Sequence, residues 1–231
     1  GQGGQGGRGG RGVKGNAAHE AADAGIADLV LVLVKSCHTG EAIAGAAALI
    51  GAETVVLSLQ NGRGQEDILA AAVGRGRVLA GKTYVGGVML APGCIRAGVA
   101  GKQTYIGELD GTVTHRVQAI ADAFTGAGLA TAVSDHILGT MWDKLLVNVA
   151  TGALTGITAL SYGQLYSEPL LERTAKAAVA EAMAVAERAG ICLGLTSADA
   201  VWALAAEGLP PSFRTSMLQM SSPEIGLHLL R

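Results

Sequence analysis

The chain has few aromatic residues: Phe, Trp and Tyr together make up 3% of its 231 positions. Proteins that bind single-stranded nucleic acid without sequence preference stack the bases on aromatic side chains, so this scarcity argues against such a surface. Charged residues are also sparse, at 16%, and the formal net charge is −2. We therefore expect no basic field that would attract nucleic acid to the whole molecule.

Cysteines and long apolar runs are scarce as well. Cys37, Cys94 and Cys192 are odd in number and widely spaced, which argues against a disulfide scaffold and favours a reducing cytoplasm. No Cys-x-x-Cys pair or histidine cluster indicates a metal site. The most apolar run, IADLVLVLV, contains Asp28 and is far shorter than a membrane span, and no signal peptide is recognised. We expect a cytoplasmic protein with no membrane partner.

Glycine, by contrast, is abundant, with 35 residues. Residues 1–15 alternate glycine with Gln and Arg and have no apolar period, so we predict that they are disordered. Gly1, Gly3 and Gly6 match the G-x-G-x-x-G pattern of dinucleotide-binding loops. A working loop needs a strand before it and a helix after it, and RGGRGVKGN is a poor helix start. We interpret this match as spurious.

Residues 16–136 are predicted to alternate strands with helices. The run DLVLVLVK is apolar on both faces, which is typical of a central strand in a parallel sheet, and TVVLSL is predicted to be a second strand. Further strands are predicted over residues 77–90 and 129–134, with a hairpin pair over 93–108 and helices over 38–51, 65–73 and 113–126. From about Ile137, alanine-rich helical segments dominate. This order predicts a parallel α/β domain followed by an all-helical domain.

The segment MWDKLLVNVATGALTG carries the clearest candidate for chemistry. Lys144 and Asn148 are four positions apart, so they share one face of a predicted helix whose other residues are mostly apolar. A bound carbonyl or hydroxyl would satisfy both, and a buried lysine with a lowered pKa can protonate an alkoxide. The alternative is a lysine that extends to the surface and an asparagine that bonds a loop.

Three further polar residues are weaker candidates. Asn61 lies in a tight turn directly after a strand, and Lys35 ends another strand. Ligands of open α/β sheets bind outside the carboxyl ends of the strands. Ser216, in FRTSMLQ, has a hydroxyl that can donate to a carboxylate. The structural alternatives are an ordinary Asn-Gly turn, a solvated strand end and a helix cap.

Five segments stand in an order and spacing typical of one family. They read ADLVLVLVKSCHT, VVLSLQNGRGQEDIL, GKTYVGGVMLAPGCIRAGVAGKQTYIGE, MWDKLLVNVATGALTGITALSYGQL and TSMLQ. Together they resemble the ketopantoate reductase family, the 2-dehydropantoate 2-reductases and their relatives. The resemblance implies an NADP-binding Rossmann-like domain followed by a helical domain. It also implies reduction of a 2-oxo acid to a 2-hydroxy acid by hydride transfer from NADPH.

The resemblance also implies roles for individual residues. Lys144 matches the proton-donating lysine, and Asn148 an asparagine that holds the substrate. Asn61 matches the asparagine that touches both cofactor and substrate. The remaining matches are Lys35 at the NADP site, Gly87 where the backbone passes the cofactor, and Ser216 at the substrate. A small-molecule 2-oxo acid is the implied partner, and a homodimer is the assembly we expect.

The chain departs from the family pattern at two substrate positions. The family usually has an asparagine where this chain has Gly152, and often another where it has Tyr162. A site without those hydrogen-bond partners discriminates differently between substrates. We therefore expect a 2-oxo acid substrate related to ketopantoate and leave its identity open.

The ends also depart from the pattern. No counterpart of the family's first strand, phosphate-binding loop, helix and second strand is recognised before DLVLV. We expect an incomplete Rossmann-like domain over residues 16–136 and a truncated helical substrate and catalytic domain over residues 137–231. A one-base deletion in codons for Gln-Asp-Val-Glu would give the Gln-Met-Ser-Ser of residues 219–222. A shifted reading frame is thus one hypothesis for the tail, and for the glycine-rich head.

Three alternatives remain open. One is a truncated or decayed homologue that does not bind NADP. Another is RNA binding through the Arg-Gly-Gly run that begins at Arg8, although it has only two arginines and no aromatic residue. The third is the class of 3-hydroxy acid dehydrogenases, which also place Lys and Asn one helical turn apart; the QNG and SMLQ pieces favour the ketopantoate reductase family.

Overall fold

Strands alternate with helices in the first part of the chain, and helices follow. The structure, a computed structural model, describes residues 20–92, 94–98, 101–207 and 209–220. The strands are β1 (Leu29–Val32), β2 (Val55–Ser58), β3 (Val78–Thr83), β4 (Gly86–Ala91), β5 (Cys94–Gly98), β6 (Thr104–Glu108) and β7 (Thr131–Val133). The α-helices are α1 (Thr39–Gly45), α2 (Gln65–Val73), α3 (His115–Gly126), α4 (Ile137–Thr158), α5 (Tyr162–Tyr166), α6 (Pro169–Arg188), α7 (Ala198–Ala206) and α8 (Ser216–Met220).

Five strands form the main sheet, in the order β1-β2-β3-β6-β7. The strands β1, β2 and β3 are parallel, β6 is antiparallel to β3, and β7 is parallel to β6. The predicted fold class, a Rossmann-like α/β region followed by helices, is confirmed. The sheet is mixed because β6 follows β3 through a reversal of the chain. The carboxyl ends of β1, β2 and β3 therefore lie along one edge.

Two details of the strand prediction are wrong. The single strand expected over residues 77–90 is two strands, β3 and β4, separated at Tyr84 and Val85. The hairpin expected within residues 93–108 does not form, because β5 pairs with β4 while β6 joins β3 in the main sheet. Local β-propensity identified these segments as strands, but pairing depends on contacts between distant residues.

The first two strands differ in burial, although it was the first that was predicted to be central. All four residues of β2 are buried, including Leu57 at 0% exposure. In the part of the chain that is described, β1 pairs only with β2 and forms an edge of the sheet. Leu31 in β1 is 41% exposed and Leu33, just after it, is 59% exposed. The expectation of a central position for β1 is therefore not met within the described sheet.

Helix α4 connects the sheet to the helices, because its two halves pack in different cores. Ile137 and Met141 join the core formed with β1, β2 and β3, together with residues such as Val56. Leu146 and Ala150 join a second core with residues of α5, α6 and α7. The alanine-rich helical composition that begins near Ile137 in the sequence coincides with the start of this helix. Division into domains at residue 136 stays a prediction.

The segment between α6 and α7 is fixed against α4. The carboxylate of Asp143 accepts hydrogen bonds from the backbone N–H groups of Gly194 and Leu195, each at 3.0 Å. Gly139 lies so close to this segment that a Cβ there would overlap the carbonyl oxygen of Cys192. At the far end of α4, the Thr155 and Thr215 hydroxyls are 2.7 Å apart. These contacts restrict how α4 can move.

Several sequence predictions fall on residues outside the described ranges. They are the disorder of residues 1–15, the glycine match at the start of the chain, the Arg-Gly-Gly run and the tail from residue 221. Within the described ranges, none of the helices, including the 22-residue α4, is both long and apolar enough to cross a membrane. The three cysteines are exposed free thiols.

Candidate active site

The ammonium group of Lys144 lies at the carboxyl edge of the sheet. Its Nζ donates to Oδ1 of Asn61, in the turn after β2, at 2.7 Å. It also donates to the carbonyl oxygen of Thr83, at the end of β3, at 2.7 Å. The helix α4 thus positions the side chain of Lys144 against the carboxyl ends of two neighbouring parallel strands, β2 and β3. Lys144 makes defined contacts here instead of extending into solvent.

Burial and two neighbouring side chains, Lys82 and Tyr84, affect the charge of Lys144. Burial and, to a smaller extent, the positive charge of Lys82 together lower the pKa of its ammonium group to about 8. Burial disfavours the charged form because the group loses water. The ring of Tyr84 lies 5.3 Å from Nζ, measured to the ring centroid, and favours the cation. Lys144 can therefore exchange a proton near neutral pH.

A pocket opens around this ammonium group. Its lining comes from the turn after β2, from β3 and from one face of α4: Gln60, Asn61, Gly62, Lys82, Met141, Lys144, Leu145 and Asn148. Lys144 and Asn148 line it together, as their spacing predicts. Asn148 is exposed, so its amide is accessible. The pocket combines three amides and two amines with apolar side chains, which is the composition of a site for a small polar ligand.

A buried network of polar side chains fixes the turn that carries Asn61. Nε2 of Gln60 donates to the carbonyl oxygen of Val34 at 2.7 Å and to Oγ1 of Thr39 at 2.8 Å. The Thr39 hydroxyl in turn donates to Oε1 of Gln65, at the start of α2, at 2.6 Å. Since the network joins residues after β1 and β2 to α1 and α2, it sets the position of the turn at the sheet edge.

The other three predicted site residues do not line this pocket. Lys35 is exposed after β1, and its side chain makes no ion pair within the described residues. Gly87 lies in β4 opposite Ala97. Ser216 is exposed at the first position of α8, and Thr215 provides the cap, its Oγ1 accepting from the backbone N–H of Leu218 at 3.2 Å. The roles of these residues stay predictions.

Two residues that line the pocket, Gln60 and Lys82, and the neighbouring Tyr84 are not among those predicted from the sequence. Lys82 and Tyr84 lie at the carboxyl end of β3, and Gln60 follows β2. The reasoning applied to Lys35 and Asn61, that polar residues at the ends of parallel strands meet at one edge, would also have identified Lys82. A single strand predicted over residues 77–90 hides this strand end, because the break at Tyr84 and Val85 depends on the tertiary structure.

The described residues at this edge suit a dinucleotide. Gly62 and Gly64 have φ angles of +93°, and a Cβ at either position would meet no atom within 4 Å. The backbone of this turn is therefore open to a group approaching the sheet edge. Lys35, at the end of β1, adds an exposed cation. Open backbone, an amide and a cation are the groups that hold ribose hydroxyls and phosphates.

Comparisons with known proteins decide the family. The family model described as ketopantoate reductase PanE/ApbA matches residues 4–111, and the one for its C-terminal domain matches residues 136–220. The chain belongs to the ketopantoate reductase family. The resemblance noted in the sequence is thus confirmed. The first match begins within the glycine-rich head of the chain, although no working phosphate-binding loop is recognised there.

Individual relatives agree with the family models. A 2-dehydropantoate 2-reductase from Halobacterium salinarum is 38% identical over 168 residues, which cover 71% of this chain and 54% of that protein. One from Aquifex aeolicus is 28% identical over 175 residues, 75% of this chain and 56% of that protein. The chain thus spans about half the length of the curated relatives it matches.

Solved structures show the same fold. A PanE/ApbA family ketopantoate reductase from Ralstonia eutropha superposes with a TM-score of 0.79 at 31% identity, covering 91% of this chain and 67% of that one. A D-mandelate dehydrogenase bound to NADH and anilino(oxo)acetate superposes with a TM-score of 0.75 at 23% identity, covering 84% of this chain and 62% of that one. At 23% identity, the similarity to the D-mandelate dehydrogenase shows only a shared fold.

Proposed function

We propose that this member of the ketopantoate reductase family reduces a 2-oxo acid to a 2-hydroxy acid, with NADPH as the reductant. One observation carries the proposal: a lysine with a pKa of about 8 lies in a pocket lined by Asn61 and Asn148 at the carboxyl edge of the sheet. The relatives named 2-dehydropantoate 2-reductases support the reaction class.

Lys144 is proposed as the proton donor. A dinucleotide bound at the sheet edge would supply a hydride for the carbonyl carbon, and Lys144 would donate its proton to the carbonyl oxygen. An ammonium group has three N–H donors, and two of them bond to Asn61 and Thr83. The third is left for the oxygen of the substrate. Lys144 becomes a neutral amine as the alcohol forms, and burial favours that state.

The other predicted residues are proposed to bind and orient. The Oδ1 atom of Asn61 accepts from Lys144, so its Nδ2 group remains to donate to substrate or cofactor. Asn148 holds the substrate from the next turn of α4. We assign Lys35 and Gly87 to the NADP site and Ser216 to the substrate, as the resemblance implies. A homodimer is the proposed assembly.

The two departures from the family pattern bear on the substrate. Gly152 is buried and lacks a polar side chain. Tyr162 is 6% exposed, and its hydroxyl lies 3.0 Å from that of Thr151. Since neither position offers a free polar group to the pocket, the proposal is confined to the class of 2-oxo acids.

The test is a spectrophotometric assay of NADPH oxidation with a series of 2-oxo acids that includes ketopantoate. We expect turnover with at least one of them, and loss of turnover in Lys144→Ala. The control variant Lys102→Ala removes an exposed lysine and should keep the activity. Parallel assays with NADH determine the cofactor preference. No turnover with any 2-oxo acid would refute the proposal.

Calorimetric titration with NADPH separates this proposal from a decayed homologue. Micromolar binding supports the reductase, while no binding supports a homologue that has lost the cofactor. Sedimentation equilibrium of the same preparation tests the homodimer. A monomer at micromolar concentration would contradict that assembly.

A further inference from the structure

Lys82 is a second cation in the pocket of Lys144, and the reduction proposed above gives it no role. It lies on β3, half-buried, and its ammonium group faces the pocket. The Nζ atom lies 5.3 Å from the ring centroid of Tyr84 and 5.1 Å from that of Tyr105. Among the described residues, it has no hydrogen bond and no ion pair. Two aromatic rings therefore hold a cation whose donors remain free.

Among the described residues, no acidic side chain lines this pocket. Burial lowers the pKa of Lys82, and the negative charge of Asp143 raises it by a smaller amount. The Asp143 carboxylate is already bonded to the backbone N–H groups of Gly194 and Leu195. It also forms no ion pair with Lys82. Two amines thus face one small pocket whose described lining holds no counter-charge, which favours an anionic ligand.

Lys82 and Lys144 line the same pocket, so both ammonium groups can contact one small ligand. Both Nζ atoms lie 5.3 Å from the centroid of the same Tyr84 ring. A 2-oxo acid carries its carboxylate and its keto oxygen on neighbouring carbon atoms. Lys144 is assigned to the keto oxygen, which leaves the carboxylate for the other cation.

We propose that Lys82 binds the carboxylate of the substrate and so selects 2-oxo acids over neutral ketones. This inference rests on the proposed function. Carboxylate binding by Lys82 also compensates for the two asparagines of the family pattern that are replaced here by Gly152 and Tyr162. An ion pair with Lys82 supplies substrate recognition that their amides would otherwise give. A partly desolvated ammonium discriminates strongly for a carboxylate, since an uncharged ligand would leave it unpaired.

The test compares the binding of oxamate and oxamide, which differ in one carboxylate and need no turnover. Calorimetric titrations at pH 7, with and without NADP⁺, use the full chain, Lys82→Met, Lys82→Arg and Lys102→Met. We expect the wild-type protein and Lys102→Met to bind oxamate about tenfold or more tightly than oxamide. Lys82→Met should lose this preference and still bind oxamide, and Lys82→Arg should retain most of it.

The result that overturns the inference is an unchanged preference in Lys82→Met, or a wild-type protein that does not prefer oxamate. Oxamide binding and thermal unfolding show whether the variants are folded. Activity separates the two proposals. If oxamate binds through Lys82 but no 2-oxo acid is reduced, the proposed function fails while the anion site stands. If 2-oxo acids are reduced and the Lys82 variants keep the preference, the function stands and this inference fails.

Discussion

Lys144 and Asn61 are 83 positions apart in the sequence, and their side chains meet at 2.7 Å between Nζ and Oδ1. The contact joins the first half of α4 to the turn after β2. It depends on the packing of Ile137 and Met141 against the sheet, because this packing places the next turn of the helix over the strand ends. The site is therefore a product of the junction between sheet and helices.

The pH dependence of the reaction follows from the lowered pKa of Lys144, about 8. A proton donor must be charged, so we expect kcat/KM for reduction to be level below that pH and to fall as the pH rises through it. Oxidation of the 2-hydroxy acid needs the neutral amine and should rise over the same range. Lys144→Met should remove the inflection and lower the rate by about 10²–10⁴-fold. A profile that keeps its inflection in Lys144→Met would assign the proton to another group.

The substitution Asn61→Asp tests the contact between Asn61 and Lys144. A carboxylate at hydrogen-bond distance favours the charged ammonium, so the inflection in the pH profile should move upward by about one pH unit or more. The control Asn61→Ala removes the acceptor without adding charge, and its inflection should not rise. Both profiles are measured as kcat/KM against pH. An inflection that stays in place in Asn61→Asp would mean that the two side chains are apart in solution.

The buried hydroxyl of Thr39 connects Gln60 to Gln65. In Thr39→Val, Nε2 of Gln60 loses an acceptor and Oε1 of Gln65 loses a donor, with little change in side-chain volume. We expect the free energy of unfolding to fall by about 1–3 kcal/mol for each buried group left unsatisfied. The KM for the cofactor should rise because the turn at Asn61 loses its support. Chemical denaturation and steady-state kinetics check the two effects, and an unchanged stability would contradict the network.

The close packing of α4 is tested by Gly139→Ala. A Cβ at this position would overlap the Cys192 carbonyl oxygen, so the helix or the segment before α7 must shift. Overpacking of this kind costs about 1–3 kcal/mol, and each kcal/mol lowers Tm by about 2–4 °C in a chain of this size. Gly126→Ala, at the end of α3, is the matched control because no atom lies within 4 Å of the added Cβ. Equal melting temperatures for the two variants would show that the approach at Gly139 is loose.

The sequence by itself determined the order of elements and the family. The run TVVLSL becomes β2, buried at all four of its strand residues, because an apolar run on both faces can be satisfied only inside the protein. Lys144 and Asn148 share a pocket because residues one helical turn apart lie on one face. The motifs around them are local, so they can be recognised without a structure.

Only the tertiary structure decided which strands pair and which distant groups meet. Residues 104–108 pair with β3 in the main sheet and not with β5 as the sequence predicts. The strand β1 forms an edge of the described sheet, although its composition is that of a central strand. The network around Thr39, and the two amines near the ring of Tyr84, arise where separate strand ends and α4 come together. Propensity and spacing act over a few residues, whereas these contacts depend on how the whole chain packs.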